Sequence, residues 1–437
     1  MLDAIISADR SRSEGGVMPS SSPLEDLSRA DLCTIGRELM LGAHLQDRAS
    51  IPAVLQHHTM DEANVLAIDE WMTASPIYTR RLQRLLGFEG DDVETIFKGL
   101  QLDVGFAHQF MDVGYDLQDQ RHGQFWLRSC GALADVIPMG ESFVRGMCHD
   151  IEDPTFDATA VATNARARVR PVHRPPGVPR GGPDCHWTVT IDDDVEETQP
   201  HPFLDAMGRS LVAGLPNDPP RDGPDEGWPD YRQAFDPHFE LEHLSRRALH
   251  IVLREFAIQG HLLARAMMCA VDRHHGPDEA VAVGRALFTG IGWVASERMA
   301  RAIGVDVADP FAIARVLPLT HLLLPVDYVG VEVHSDGNGT TTITFSEDAS
   351  GTSEGDPYSL PGLLALGADE IVASLVHGVD PSANVVPNGR QAGQQTWTVT
   401  ADATGEAALE PDAVGLVRFS TGVTVALRRR VPLPAPQ

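Results

Sequence analysis

The residue types best suited to chemistry are three cysteines in the first half of the chain. Cys130, Cys148 and Cys185 are separated by long intervals, and the last two are each followed by a histidine, His149 and His186. Thiolates are good ligands for zinc and iron, and a thiolate beside an imidazole can act as a nucleophile. The paired ligands of zinc fingers lie only about two to four residues apart, so here the fold would have to bring the cysteines together.

Four interpretations of these cysteines are open from the residues alone. They could bind zinc or iron, supply a nucleophilic thiol, hold an iron–sulfur or redox centre, or pack as small apolar core residues. Acidic residues near His149 could orient its ring or act as base, and these are Glu141, Asp150, Glu152 and Asp153. The predicted catalytic residues are Cys130, Cys148, His149 and Asp153. The predicted metal ligands are Cys130, Cys148 and Cys185.

Candidate substrate-binding residues come from two further places. Arg168, Arg170 and His173 lie in an Arg- and Pro-rich segment and could hold a carboxylate group. His44 and Arg48 lie one helical turn apart on one face, and the same pair returns in the repeat described below. Helix packing or an inter-module contact is one interpretation of that pair, and a pair facing a ligand is the other.

The chain repeats itself with an offset of 217 residues, since residues 27–32 return as 244–249. The match holds without a gap through about sixty positions, of which about a third are identical. Near the ends of the copies, residues 187–192 return as 397–402 with a shift near 210. The sequence therefore predicts two diverged copies of one module.

Only the first copy carries the cysteine set. The aligned pairs are Cys130 with Ser346, Cys148 with Leu375 and Cys185 with Gln395. His149 and His186 are replaced as well. A polar set that is lost together is better explained by a site than by packing, so the chemistry is predicted to lie in the first module.

Each copy has helical patterns first and strand patterns afterwards. Ser28 and Ser245 stand where an N-cap belongs, and Gly87 and Gly304 where a C-cap belongs. The predicted strands cover 113–117, 125–127, 328–333 and 340–345. A hairpin turn is predicted at 336–339, and each copy closes on a Trp-Thr-Val-Thr strand. The sequence predicts an α+β fold of two tandem pseudo-twofold modules. Each has a helical N-terminal part followed by a small, mainly antiparallel sheet with a helix.

The module boundaries follow from the repeat and from composition. The segment 155–183 is predicted to be a long loop because it is rich in Arg and Pro. The predicted domains are a disordered N-terminus at 1–23, module 1 at 24–198 with its helical part at 24–108 and its cysteine-bearing part at 109–198, a linker at 199–237, module 2 at 238–430 and a tail at 431–437.

Charge and composition exclude several classes of partner. The 437 residues carry 62 acids against 34 bases, a formal charge of −28 that opposes nucleic acid and anionic membrane surfaces. No stretch approaches the roughly 18 apolar residues of a membrane span, and the first residues do not resemble an export signal. We expect a cytoplasmic protein with a small-molecule substrate, either a monomer with a pseudo-dimeric core or a homodimer.

The helical start, the third-helix region and the separated cysteines together resemble a known family. The matching pieces are residues 27–38, residues 81–87, Cys130, Cys148 and Cys185-His186-Trp187. This pattern is similar to that of the L-2-amino-thiazoline-4-carboxylic acid hydrolase-like family. The resemblance implies a hydrolase that opens a carbon–nitrogen bond in a small ring or amidine.

The leading hypothesis is therefore a hydrolase acting on a C–N bond of a small polar, cyclic amidine- or amide-like molecule at a Cys/His site in module 1, with zinc or iron as the candidate cofactor. The rival hypothesis is a non-catalytic sensor or accessory protein that binds a metal or ligand without turnover.

Overall fold

The computed structural model describes residues 22–177, 181–219, 226–400 and 405–428. Most of the predicted disordered segment 1–23 and the whole predicted tail 431–437 lie outside the described residues. Within the described ranges, no helix is both long and apolar enough to cross a membrane.

The first half of the chain builds two long helices, short helices and a four-stranded sheet. Its elements are α1 Arg29–Leu55, α2 Met60–Leu86, α3 Val93–Leu100, β1 Met111–Leu117, β2 His122–Cys130, α4 Gly131–Val136, α5 Glu141–Arg145, a π-helical turn Gly146–Ile151, α6 Glu152–Val161, β3 Ala167–His173, β4 Cys185–Ile191, α7 Leu204–Gly208 and α8 Leu211–Gly214.

The second half repeats this order with fewer short helices. Its elements are α9 Arg246–His275, α10 Pro277–Ile303, α11 Ala312–Val316, α12 Val326–Val329, β5 Val331–Ser335, β6 Thr340–Ser346, α13 Leu360–Ala365, α14 Asp369–Val379, β7 Asn384–Gln391, β8 Gln394–Thr400 and α15 Asp412–Arg418. The predicted α+β fold of two modules is confirmed.

The ends of the long helices follow local sequence signals. The Ser28 and Ser245 hydroxyls accept hydrogen bonds from backbone N–H groups in the first turns of α1 and α9. Gly87 and Gly304 end α2 and α10 with φ values of 66° and 68°, which a glycine adopts without steric cost. The four predicted caps are confirmed.

The four long helices form one core shared by both modules. Helix α9 packs along both α1 and α2, and α10 packs along α1. Apolar side chains such as Leu32, Leu39, Leu249 and Phe256 are fully enclosed there. Because α9 of module 2 packs against both long helices of module 1, the two helical pairs share one core.

Two reciprocal ion pairs mark the pseudo-twofold relation in this core. Arg81 forms a two-pronged pair with Glu255, with N–O distances of 2.8 and 2.7 Å. Arg298 does the same with Glu38 at 2.9 and 3.1 Å. The partners exchange places under the 217-residue offset, so the repeated Arg and Glu positions join the two modules.

The two sheets share one topology. Their strand orders are β1-β2-β4-β3 and β5-β6-β8-β7, with every neighbouring pair antiparallel. Pro171 and Pro387 occupy equivalent places on the outer strands β3 and β7, each just before a bulge. An edge strand tolerates proline because the missing N–H removes no ladder bond on its open side.

Two predictions of local structure were wrong. The segment 155–183 was expected to be a long loop, but it contains the rest of α6 and all of β3. Its prolines were interpreted as loop signals, but an edge strand such as β3 also tolerates proline. The strand expected at 328–333 begins only at Val331, because the turn α12 ends at Gly330 with φ 71°.

The segment 199–237 is more closely packed than the predicted linker or draped loop. Tyr231 is fully buried, and the carbonyl groups of Ala213 and Leu215 accept hydrogen bonds from Arg81. The carbonyl groups of Gly422 and Val423 serve Arg298 in the same way after α15. The first part of the segment therefore completes module 1 and is equivalent to the end of module 2.

Candidate functional site

The fold brings the three predicted cysteines into one region of module 1. Cys130 ends β2, Cys185 begins β4 beside Leu127 of β2, and Cys148 lies in the π-helical turn. All three side chains are buried. Cys148 lies close enough to Cys130 and Cys185 for their charges to interact. Segments distant in the chain thus place their thiols in a common interior.

The environment of these thiols favours their neutral form. Burial and the nearby carboxylate of Glu152 raise the pKa of Cys130 to about 12. The same two causes raise the pKa values of Cys148 and Cys185 well above that of an ordinary thiol. All three thiols are therefore protonated at neutral pH, and none is prepared to act as a nucleophile.

The arrangement of the thiols does not match a zinc or iron centre. Zinc–sulfur bonds of about 2.3 Å place tetrahedral thiolates about 3.8 Å apart. Within the described residues, the only group of three His, Cys, Asp or Glu whose ligand atoms lie within 4.8 Å of one another contains no cysteine. Cys130 Sγ instead accepts a hydrogen bond from the Leu133 N–H at 3.3 Å. The three predicted metal ligands share an interior without forming a coordination shell.

Glu152 is the acid that reaches this interior. Its Oε2 is closed to solvent and has no hydrogen-bond partner among the described residues. Burial raises the pKa of Glu152 to about 8, although Arg174 and Arg48 lower it. A carboxyl group with this pKa can give or take a proton near neutral pH. It was recognised in the sequence only as one of four acids near His149.

The predicted catalytic residues Asp153 and His149 are engaged elsewhere. Asp153 is half exposed and forms an ion pair with Arg174. The Nε2 atom of His149 lies 2.6 Å from the carbonyl oxygen of Pro175. Successive side chains of a helix point about 100° apart. Asp153 and His149 therefore point in other directions than their chain neighbours Glu152 and Cys148. No hydrogen bond joins His149 to a thiol within the described chain.

The predicted carboxylate-binding residues of β3 lie away from the thiols. Arg170 is exposed and pairs with Asp157 at 2.8 and 2.9 Å. Arg168 donates to the carbonyl groups of Ala167 and Glu196, and the ring of His173 bonds to the carbonyl of Pro183. Side chains alternate along a strand. Ala167 and Val169 take the buried face, which leaves the arginines on the outer one.

The predicted pair His44 and Arg48 is buried in module 1. His44 Nδ1 lies 3.1 Å from the carbonyl oxygen of Val104, and its Nε2 has no partner in the described structure. Arg48 is only 9% exposed and lacks a partner for Nε. Its charge acts on Cys130, Cys148 and Glu152. Arg48 is therefore a buried cation whose charge reaches the cysteine interior.

Arg48 also lines a cavity of about 260 Å³ between α1, α2 and the short helices that follow β2. The remaining wall is almost entirely apolar, with Asn64 and Gln56 as its other polar members. The apolar lining residues are Ile51, Pro52, Leu55, Met60, Val136, Met139, Phe143, Met147, Ile151 and Phe419. No carboxylate pairs with Arg48 in the described structure. A single guanidinium in an apolar cavity suits a ligand with one anionic group.

A larger cavity of about 630 Å³ lies beside the sheet of module 2. Arg254, Asp327 and Glu332 contribute to its wall. It borders segments outside the described residues at Ser22 and Pro219, and none of the predicted site residues lines it. The smaller cavity at Arg48 is the one connected with the candidate chemistry.

Sequence reasoning missed a second buried polar group in module 1. Asp47, Glu70 and Asp103 lie near one another, and the Tyr78 hydroxyl donates to Asp103 at 3.0 and 3.1 Å. Burial raises the pKa of Asp47 to about 6 and that of Asp103 to about 7, and raises that of Glu70 well above its usual value. Neither Glu70 oxygen has a described hydrogen-bond partner, since nearby Ser50 donates to a main-chain carbonyl.

The repeat offset was the signal for this buried group. Under the offset of 217 residues, Asp47, Glu70, Trp71 and Tyr78 correspond to Ala264, Leu287, Phe288 and Ala295. The ring of His44 contacts the carbonyl oxygen of Val104, and the ring of the equivalent His261 contacts that of Leu324. Val104 and Leu324 are therefore equivalent, which aligns Asp103 with Leu323. All of these positions thus carry apolar residues in module 2. The cysteines were singled out by the same pattern, a set of residues that is lost together from the second copy.

The sheet register corrects the alignment of Cys130, and the helix positions correct that of Cys148. Leu127 pairs with Cys185, and Phe345 pairs with Gln395, so Cys185 and Gln395 are equivalent as predicted. The following positions then align Cys130 with Asp348 rather than Ser346. The Asp153-Pro154 pair begins α6, whereas Asp380-Pro381 follows α14, so the match of Cys148 with Leu375 also fails.

Comparisons with known proteins do not add a relative. No family model, no curated protein and no solved structure matched the chain. The similarity to the L-2-amino-thiazoline-4-carboxylic acid hydrolase-like family therefore stays a prediction from the residues.

Proposed function

We propose that module 1 binds a small, largely apolar molecule carrying one carboxylate or a similar monoanionic group. One observation carries the proposal: Arg48 is nine-tenths buried, has no ion-pair partner in the described structure and lines an otherwise apolar cavity. A buried cation without a counter-ion has a high desolvation cost. A ligand carboxylate would offset that cost, and the apolar wall would take up the rest of the molecule.

Binding of small acids and their matching amides tests this directly. Calorimetric titration with hexanoate and benzoate, each compared with its amide, should show roughly tenfold or greater preference for the acid, because a hydrogen bond to a charged group contributes about 1.5–3 kcal/mol. Arg48→Met should remove that preference. Leu55→Ala is the matched control, since it weakens acid and amide alike. Equal binding of acid and amide by the unaltered protein would exclude the proposal.

We further propose that the bound molecule is hydrolysed at a C–N bond, with Glu152 as the proton donor. The supporting observation is its solvent-closed Oε2 and its pKa of about 8, within range of the Arg48 charge. Protonated Glu152 would give its proton to the leaving nitrogen as water attacks the carbon. The resulting carboxylate would recover a proton from the attacking water. The neutral thiols would not attack the molecule.

Turnover of carboxylated cyclic amidines and amides, followed as amine release or ring opening, tests the reaction. Glu152→Gln should lower the rate roughly 100-fold or more, the typical contribution of a general acid. Asp153→Asn, one residue away and half exposed, should retain activity. The rate of the unaltered protein should fall as pH rises through about 8, where Glu152 loses its proton. Acid binding without turnover would instead favour the sensor or accessory protein.

The remaining sequence predictions concern the location, the duplication and the oligomeric state of the protein. We propose a cytoplasmic protein whose two modules arose by internal duplication, acting as a monomer with a pseudo-dimeric core or as a homodimer. The 217-residue repeat and the shared sheet topology support the duplication. No zinc or iron ion at the three thiols is required by the proposed reaction.

A further inference from the structure

The two modules meet at a second cluster of histidine and glutamate side chains. His58 follows the end of α1, and His275 is the last residue of α9. The two histidines are equivalent under the 217-residue offset, as are Glu62 and Glu279 near the starts of α2 and α10. The cluster therefore lies where the pseudo-twofold relation brings two equivalent helix junctions together.

The distances in this cluster are short. The imidazole rings of His58 and His275 are 3.8 Å apart between centroids. One ligand atom from each of His58, Glu62 and His275 lies within 4.8 Å of the others. Glu279 Oε1 lies 3.1 Å from His58 Nε2 and 2.9 Å from His57 Nδ1. His58, Glu62 and His275 thus gather at one accessible point, with Glu279 beside His58.

The donor atoms at this point suit a cation. Glu62 and Glu279 offer carboxylate oxygens, and His58 and His275 offer imidazole nitrogens. Imidazole nitrogen and carboxylate oxygen together are ligands that zinc accepts in tetrahedral sites.

We propose that His58, His275 and Glu62, with Glu279 as fourth ligand, bind one divalent ion of the zinc class. The ion would join the end of α1 and the start of α2 to the end of α9 and the start of α10. Because binding to the folded state alone stabilises a protein by mass action, the ion would hold the two modules together at this end of the helical core.

Zinc binding by the full-length protein, stripped with a chelator and dialysed against Zn²⁺, tests the proposal. We expect about one ion per chain and a thermal midpoint that rises with zinc concentration. Loss of a group that merely orients a ligand already weakens metal binding about 10–100-fold. His58→Ala and His275→Ala should therefore weaken binding by roughly 100-fold or more and remove the rise in midpoint.

Two controls separate this site from other histidines and from the thiols. His274→Ala changes the neighbouring residue, which contacts Asp69 instead, and should keep zinc binding. A Cys130→Ser, Cys148→Ser, Cys185→Ser variant should also keep it, and cobalt-loaded protein should lack thiolate charge-transfer absorption. Equal affinity of His58→Ala and His274→Ala, or loss of zinc only in the cysteine variant, would overturn the proposal. Circular dichroism establishes that each variant is folded.

Discussion

Arg48 in module 1 and Arg265 in module 2 occupy equivalent positions in equivalent helices, but their surroundings differ. Arg265 forms a two-pronged ion pair with Asp356 at 2.8 Å for both bonds, and Glu354 lies 3.7 Å away. Arg48 faces an apolar cavity with no described counter-ion. In module 2 the chain supplies the anion, so the arginine is structural. In module 1 no described side chain supplies that anion, and the proposed ligand carboxylate would take its place.

The same contrast extends through both interiors. Module 1 has the partly buried Asp47 and the buried Glu70 and Asp103 where module 2 has apolar side chains, and it places Glu152 among three thiols. Buried carboxyl groups without ion partners cost folding free energy. Module 2 has apolar side chains at these positions and avoids that free-energy cost, but it keeps the same fold. We infer that module 2 stabilises the fold and that module 1 carries the polar interior at the expense of stability.

The reciprocal ion pairs should show the largest effect because both modules depend on them. Arg81→Met leaves the fully buried Glu255 without its main partner and should lower the free energy of unfolding by about 3–5 kcal/mol. Arg298→Met should have a similar effect through Glu38. Urea unfolding measures both values. The double variant Arg81→Met, Glu255→Leu should recover most of the loss, and a negligible effect of either single change would contradict the shared core.

The two equivalent arginines should respond in opposite ways. Arg265→Met leaves Asp356 and the buried Glu354 without an ion partner and should destabilise the protein by about 3 kcal/mol. Arg48→Met should change stability by less than about 1 kcal/mol or raise it, since no buried partner is left alone, while acid binding is lost. Thermal unfolding and calorimetric titration of both variants give the comparison. Equal destabilisation would mean that Arg48 is structural too.

Replacing interior polar residues of module 1 by their module 2 equivalents tests the difference between the two interiors. The variant Asp47→Ala, Glu70→Leu, Trp71→Phe should be more stable than the unaltered protein at pH 7, by about 2 kcal/mol.

The pH dependence of that gain has a definite sign. Because the folded pKa of Asp47 is raised to about 6, the unfolded chain loses its proton first and the unaltered protein loses stability from about pH 4 to about pH 6, by up to about 1.4 kcal/mol per pH unit. The raised pKa of Glu70 extends the loss to higher pH. The stabilisation by the variant should therefore grow across this range, and a pH-independent difference would contradict the proposed cause.

The helix-ending glycines should give the smallest difference. Both Gly87→Ala and Gly304→Ala place a side chain at positive φ, at a cost of about 1 kcal/mol. A side chain at Gly87 would also meet Arg232 at 2.5 Å, whereas the space at Gly304 is open. Denaturant midpoints should thus fall further for Gly87→Ala. The reverse order would show that the segment containing Arg232 yields freely.

Sequence reasoning predicted the fold more accurately than the site. Ser28, Ser245, Gly87 and Gly304 act through backbone groups within a few residues, so their roles are visible locally. The outer strands β3 and β7 were missed because edge position, which makes proline acceptable, is a property of the assembled sheet.

The amino-acid sequence by itself determined the two-module plan, since a repeat of 217 residues carries its own helix caps, helix ends and closing strand. The three thiols share an interior because β2, β4 and the π-helical turn pack together. Only that packing decided that Glu152 rather than Asp153, and Arg48 rather than Arg168 or Arg170, face inward. Side-chain direction and counter-ions come from segments far apart in the chain, and burial converts those contacts into charge states.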